Sequence, residues 1–228
     1  MTDAVLQGRR HVIRSRVARL RAAHSYRTVL ILIVAAFAFV SLAGDATWTA
    51  GVLLLLEAAT LAVAVWTSGV IRANSSGLIA LLVVSTALAL AVVVSGGDGL
   101  VGAAALVSGV LVIATVVAIV IGVVDQDGVN AQSVTGAICI YILIGLLFLF
   151  LYGAIAVLGS GHFFAQGTDG TRSLRLYFSY VTLATLGYGD YTPAGNLGHT
   201  LALLEALIGQ LYLVTVLALL VSRLRGAK

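Results

Sequence analysis

Six apolar runs, divided by short polar breaks, leave this chain few folds to choose from. They extend roughly from Thr28 to Gly44, Thr47 to Ile71, Ser76 to Ser95, Leu100 to Val124, Ser133 to Gly159 and Leu197 to Ser222. A helix needs about 20 apolar residues to cross a hydrocarbon layer about 30 Å thick, and each run meets that length or nearly so. A segment in lipid must also satisfy its own peptide groups, which a helix does and an open strand does not. The expectation is an all-α membrane protein with six transmembrane helices.

Composition agrees. Of 228 residues, 61% are hydrophobic and 10% charged, against about 25% charged in an ordinary soluble domain. The charges are also unevenly spread: Arg9, Arg10, Arg14, Arg16, Arg19, Arg21 and Arg27 are seven of the 13 Lys and Arg residues. Because this basic run abuts an apolar segment, the positive-inside rule accounts for it without a nucleic-acid partner. Val12, Ile13, Val17, Leu20 and Ala23 recur within it at near-helical spacing, which suits a helix lying on anionic lipid head groups. With the N-terminus inside, six spans return Arg223, Arg225 and Lys228 to the same side, and Arg72 falls there too. The basic stretch is too long for a cleavable signal. A multi-pass protein of a prokaryotic inner (plasma) membrane, with both termini cytoplasmic, is expected. Cys139, the single cysteine, sits in an apolar run and reads as a small core residue.

The interval between the last two runs, Ser160 to Gly198, is neither a span nor an ordinary loop. It opens with a Gly- and Ser-rich stretch and continues as an amphipathic helical segment, Thr171 to Ala184. It then reads Thr185-Leu186-Gly187-Tyr188-Gly189-Asp190-Tyr191-Thr192-Pro193. This run, after the Thr-rich helix end at Thr182 and between two apolar helices, closely resembles the potassium-channel signature. The arrangement of six helices with the loop before the last resembles prokaryotic members of the voltage-gated-like channel superfamily.

The resemblance implies a re-entrant pore helix and selectivity-filter loop between helices five and six. To shed its water, K⁺ needs replacement oxygens, and rings of backbone carbonyls supply them. The carbonyls of Thr185, Leu186, Gly187 and Tyr188 would coordinate the ion, with Gly189 completing the strand and the Thr185 hydroxyl adding an oxygen at the inner end. Successive carbonyls face one way only if backbone handedness alternates, and Gly187 and Gly189 can take the positive φ this requires. One loop cannot close a ring, so a homotetramer is implied. No cofactor is expected beyond the permeant ion.

Filter support is expected from Asp190, Tyr177, Phe178, Thr182 and Glu205. Where such pores commonly carry two tryptophans, this chain has Tyr177-Phe178; Tyr177 can still donate to Asp190, whereas Phe178 has no polar hydrogen. The usual Val or Ile is Leu186. These departures predict a filter braced less tightly and prone to inactivation. Glu205 is expected to hydrogen-bond behind the filter, to Thr182 or Tyr180. Gly209 stands where similar pores place an inner-helix hinge, which suggests a bend or a close backbone contact, and Leu213, Val216 and Leu220 follow on roughly the same face.

Four parts are expected: a basic cytoplasmic segment at 1–27, a four-helix sensor-like domain at 28–124, a linker at 125–132 and a pore domain at 133–228. Charges moving in the field drive a voltage sensor, but the fourth helix, Leu100 to Val124, has no Lys or Arg. Conventional voltage gating is therefore not expected. Glu57 lies inside the second helix, and two readings stand: a protonated carboxyl bonded to Ser or Thr, or a proton-sensitive switch. With only six residues after Ser222, no appended ligand-binding domain is expected. His11, His24, His162 and His199 are scattered, and no nucleophile–base pair appears at a plausible spacing, so an enzyme is not expected. The function these features imply is a potassium-selective channel subunit. The alternative is a weakly selective or non-selective cation channel.

Overall fold

The computed structural model describes residues 26–69, 75–125 and 131–225. Segment 1–25, Arg72, Asp127, most of the expected linker and the side chain of Leu220 lie outside the described residues. The helices are α1 (Tyr26–Leu42), α2 (Thr47–Ser68), α3 (Ser75–Ser95), α4 (Asp98–Val124), α5 (Ala131–Leu158), α6 (Arg172–Leu183) and α7 (Asn196–Arg225). Five of them are long and apolar enough to cross a membrane: α2, α3, α4, α5 and α7. The described part of α1 is apolar but shorter, at 17 residues. This is a multi-pass membrane protein.

α2 forms the centre of the first four helices, packing on α1, α3 and α4. Leu53, Leu54, Leu61 and Ala64 are buried along it. α4 and α1 in turn lie on α5, which joins this group to the second half of the chain. Cys139 is fully buried on α5, its thiol directed at the Tyr26 carbonyl, so the core reading of that residue holds. Hydroxyls in these helices donate to their own backbone, as in Thr60 to Leu56 O at 2.7 Å and Thr115 to Leu111 O at 2.8 Å. Such local bonds satisfy a polar group where water is absent.

Glu57 has no such bond. It is buried on α2 and borders a cavity of about 10 Å³ among Thr60, Val112, Thr115, Leu143 and Leu146. Ser108 approaches its carboxyl, yet neither oxygen reaches hydrogen-bond geometry. Ser108 is thus the hydroxyl beside the carboxyl, as the Ser or Thr reading expects, but it stands outside strict hydrogen-bond geometry. A buried polar group without a partner costs about 1–3 kcal/mol. Replacing it by leucine should thus raise the thermal unfolding midpoint in detergent, while Glu57→Lys should lower it. A comparable loss of stability in Glu57→Leu would show that the carboxyl has a partner after all.

A candidate ion-conducting loop

The short helix α6 starts within a residue of where the sequence placed it. Thr171 caps its N-terminus, accepting from Leu174 N at 3.0 Å, a usual role for threonine at that position. A residue from the first half completes the start. The carboxylate of Asp45, in the short connection between α1 and α2, accepts from Arg172 N at 3.2 Å and pairs with Arg172 Nε at 3.1 Å. The same guanidinium donates to Ala46 O at 3.1 Å and to the Thr49 hydroxyl. In the sequence Asp45 was only a polar break, and nothing local betrays a partner 127 positions away.

At its other end α6 breaks into the loop. The amides of Ala184, Thr185 and Leu186 donate to the carbonyls of Tyr180, Thr182 and Val181 at 3.0, 2.9 and 2.9 Å, and Gly187 N reaches Val181 O at 3.4 Å. The helix's last carbonyls, which have no intrahelical donor, are thus satisfied by the loop's own amides. The backbone then alternates: φ is +56° at Thr185, +55° at Gly187 and +77° at Gly189. An ordinary strand points successive carbonyls to opposite sides; inverting every second residue turns them the same way. The two glycines were expected at positive φ. Thr185 was not, and a non-glycine residue there stores about 1–3 kcal/mol of strain. Among the described residues, no hydrogen bond ends on the carbonyls from Thr185 to Gly189. All of residues 184–190 are exposed, Leu186 at 56% and Tyr188 at 65%.

The supports divide into two sets. In front, the Tyr177 hydroxyl donates to Asp190 Oδ2 at 2.7 Å, as expected, and its ring stacks on Tyr188 with centroids 6.5 Å apart. Gln166 adds a clamp that sequence reading missed, donating to Asp190 O at 2.9 Å and accepting from Thr192 N at 3.3 Å. The Phe163–Phe164–Ala165 backbone pairs with Thr192 to Ala194 beside it. Behind, Phe178 packs edge-on with Tyr152, Phe163 and Phe164. It therefore braces α6 from the rear, with its ring contacts away from Tyr188 of its own chain. Thr182 supports the loop through its carbonyl.

Glu205 is wholly buried, and its partners differ from those expected. It meets the hydroxyls of Tyr152 and Ser179, not Thr182 or Tyr180. Tyr180 donates instead to Ile142 O at 2.6 Å. Ser179 has one hydroxyl proton but two neighbouring acceptors, Gly145 O at 2.8 Å and Glu205 Oε1. A protonated Glu205 carboxyl would donate to Ser179 and satisfy both contacts, whereas an ionised one leaves the two acceptors to share a single proton. Gly209 shows the close contact: α7 runs helically through it, and a Cβ there would strike the Leu183 carbonyl.

Outside the span, the Asp169 carboxylate accepts from Phe163 N at 2.9 Å and stands 3.2 Å from His162 Nδ1. The amide bond first, with the neighbouring His162 adding to it, holds this carboxyl below the usual carboxylate range.

Residues 138–226, which hold the last helices and the loop between them, match the family model described as an ion channel. Over 70 residues the chain is 39% identical to the inward rectifier potassium channel Kirbac3.1 of Paramagnetospirillum magnetotacticum, an alignment covering 31% of this chain and 24% of that relative. The chain thus spans about a quarter of the relative's length. No solved structure matches it.

Two outcomes follow. Glutamine reproduces the protonated acid's donor and acceptor, so Glu205→Gln should unfold close to wild type in thermal melts, while Glu205→Ala should lose about 1–3 kcal/mol by orphaning buried hydroxyls; equal losses in both would mean that the carboxyl is ionised. A depressed carboxyl contributes stability above its unfolded value of about 3.9 and loses it as pH falls through the folded one. The NMR shift of the Phe163 amide should therefore show an acid titration step with its midpoint below that unfolded value, and Asp169→Asn should abolish that step.

Proposed function

We propose that this chain is one subunit of a potassium-selective channel that conducts passively through a homotetrameric pore. The observation that carries the reading is the loop's alternating backbone, with its amides folded onto the pore helix and a run of carbonyls left without donors. Four such edges around an axis would form stacked oxygen rings from Thr185, Leu186, Gly187 and Tyr188, replacing the hydration shell of K⁺. Exposed polar backbone at membrane depth is tolerated only when buried by protein or lining a wet cavity, and further copies supply both. The C-terminal end of α6, near Ala184, would direct its negative dipole end toward the ion path. The name of the 70-residue match points to the same ion.

In this reading six spans cross a prokaryotic inner membrane with both termini cytoplasmic, and the basic segment 1–27 touches anionic lipid. The first four helices resemble a voltage sensor in layout and lack its arginines, so another stimulus opens the pore. The test is reconstitution into lipid vesicles with K⁺ on one side and Na⁺ on the other. Single-channel currents should reverse close to the K⁺ equilibrium potential, and Gly187→Ala should abolish them, since a Cβ at positive φ is strained. Reversal near zero with open channels would overturn K⁺ selectivity and favour the weakly selective pore. Tyr177→Phe removes the 2.7 Å bond to Asp190 and should shorten open bursts several-fold under sustained activation without moving the reversal potential.

A further inference from the structure

Where the first four helices meet the ion-channel domain, a cleft of about 360 Å³ opens beside the start of α6. Its walls are apolar, with Leu53 on α2, Val101 on α4, and Leu149, Phe150 and Val157 on α5. It exists because α4 presents small residues there: a Cβ at Gly102 would meet nothing within 4 Å. Asp45, Arg172 and Arg175 also line it, two cations against one carboxylate. Arg172 is occupied by Asp45, Ala46 O and Thr49.

Arg175 is different. Its Nη1 donates to Asp169 O and Gly170 O at 2.9 and 2.7 Å, its Nε is buried without a partner, and it forms no ion pair among the described residues. Asp45 and Asp169 lie near enough to act on its charge, but Asp45 is bonded to Arg172 and Asp169 to the Phe163 amide, so no carboxylate pairs with Arg175 directly. A partly buried guanidinium calls for an anion, and a phosphate fits its planar donors. An apolar cleft in a membrane protein calls for hydrocarbon. A volume near 360 Å³ lies at the small end of ligand sites and leaves no room for a protein helix about 10 Å across.

We propose that this cleft binds an anionic phospholipid, one acyl chain lying between α4 and α5 and the phosphate on Arg175. The lipid would join the four-helix group to the pore helix, because Arg172 and Arg175 both stand in the first turn of α6. This site is separate from the basic segment 1–27, and it does not depend on which ion the pore passes.

Native mass spectrometry of the purified full chain tests it, after incubation with equal phosphatidylglycerol and phosphatidylcholine of identical acyl chains. Phosphatidylglycerol should be retained at least tenfold over phosphatidylcholine. Gly102→Leu, which fills open space, should remove that retained lipid. Arg175→Gln should bring the two lipids to parity, and Arg175→Lys, which keeps the charge, should preserve a preference and guard against misfolding in the glutamine variant. Equal retention of both lipids by the wild type would overturn the proposal. So would the absence of retained lipid, as expected of a cleft covered by a neighbouring copy. An unchanged preference in Gly102→Leu would place the lipid on segment 1–27 instead, and displacement by glycerol phosphate as effective as by intact lipid would deny the acyl chain any part.

Discussion

The structure of this chain turns on a backbone accounting problem at the end of a short helix. α6 runs for only 12 residues, and its last carbonyls have no intrahelical donors. The following residues answer by turning their amides back, Thr185 onto Thr182, Leu186 and Gly187 onto Val181. Once those amides face the helix, the carbonyls of the same peptides are left on the other side. The positive φ values at Thr185, Gly187 and Gly189 continue that orientation along the strand. An oxygen-lined edge is thus the consequence of satisfying the helix end, and residues 184–190 stand exposed along it.

Holding the helix end in place takes most of the neighbouring structure. The aromatic cluster of Phe148, Tyr152, Phe163, Phe164 and Phe178 fills the space behind α6, and edge-to-face pairs of this kind add to the burial of their area. Glu205 and Ser179 tie α7 to α6, and the Gly145 carbonyl ties α5 to both. Two glycines let the backbones come this close: a Cβ at Gly145 would lie 2.6 Å from the Tyr180 ring, and one at Gly209 would meet Leu183 O. The first four helices contribute through Asp45 and Arg172 at the far end of α6, and through Phe37, edge-on to Tyr180 at 5.0 Å. A displacement in that group would therefore reach the loop through α6. This is a physical route by which helices without gating charges can bear on a pore.

Much of this was legible from residue order. Apolar length marks helices because the bilayer allows little else, and all of the long runs appear as helices with ends near those read from the sequence. The amphipathic helix α6 appears within a residue of its expected bounds, since Thr171 caps it and the glycine-punctuated run ends it. Positive φ at Gly187 and Gly189 and the Tyr177–Asp190 bond were also legible, because each depends on residues close together in the chain.

What only the tertiary structure decided is pairing across distance. Nothing near Asp45 shows that it caps a helix 127 residues later, and nothing near Gln166 shows that it clamps Asp190 and Thr192. Glu205 announced itself as an ionisable residue in an apolar helix, but its partners on α5 and α6 follow from how those helices rotate against α7. Glu57 announced itself in the same way, and the packing set only Ser108 near its carboxyl among the described residues. Period, length and local turn chemistry are written in adjacent residues and are recoverable from them. Which buried polar groups meet depends on helix rotation and depth, set by the packing of all the helices together.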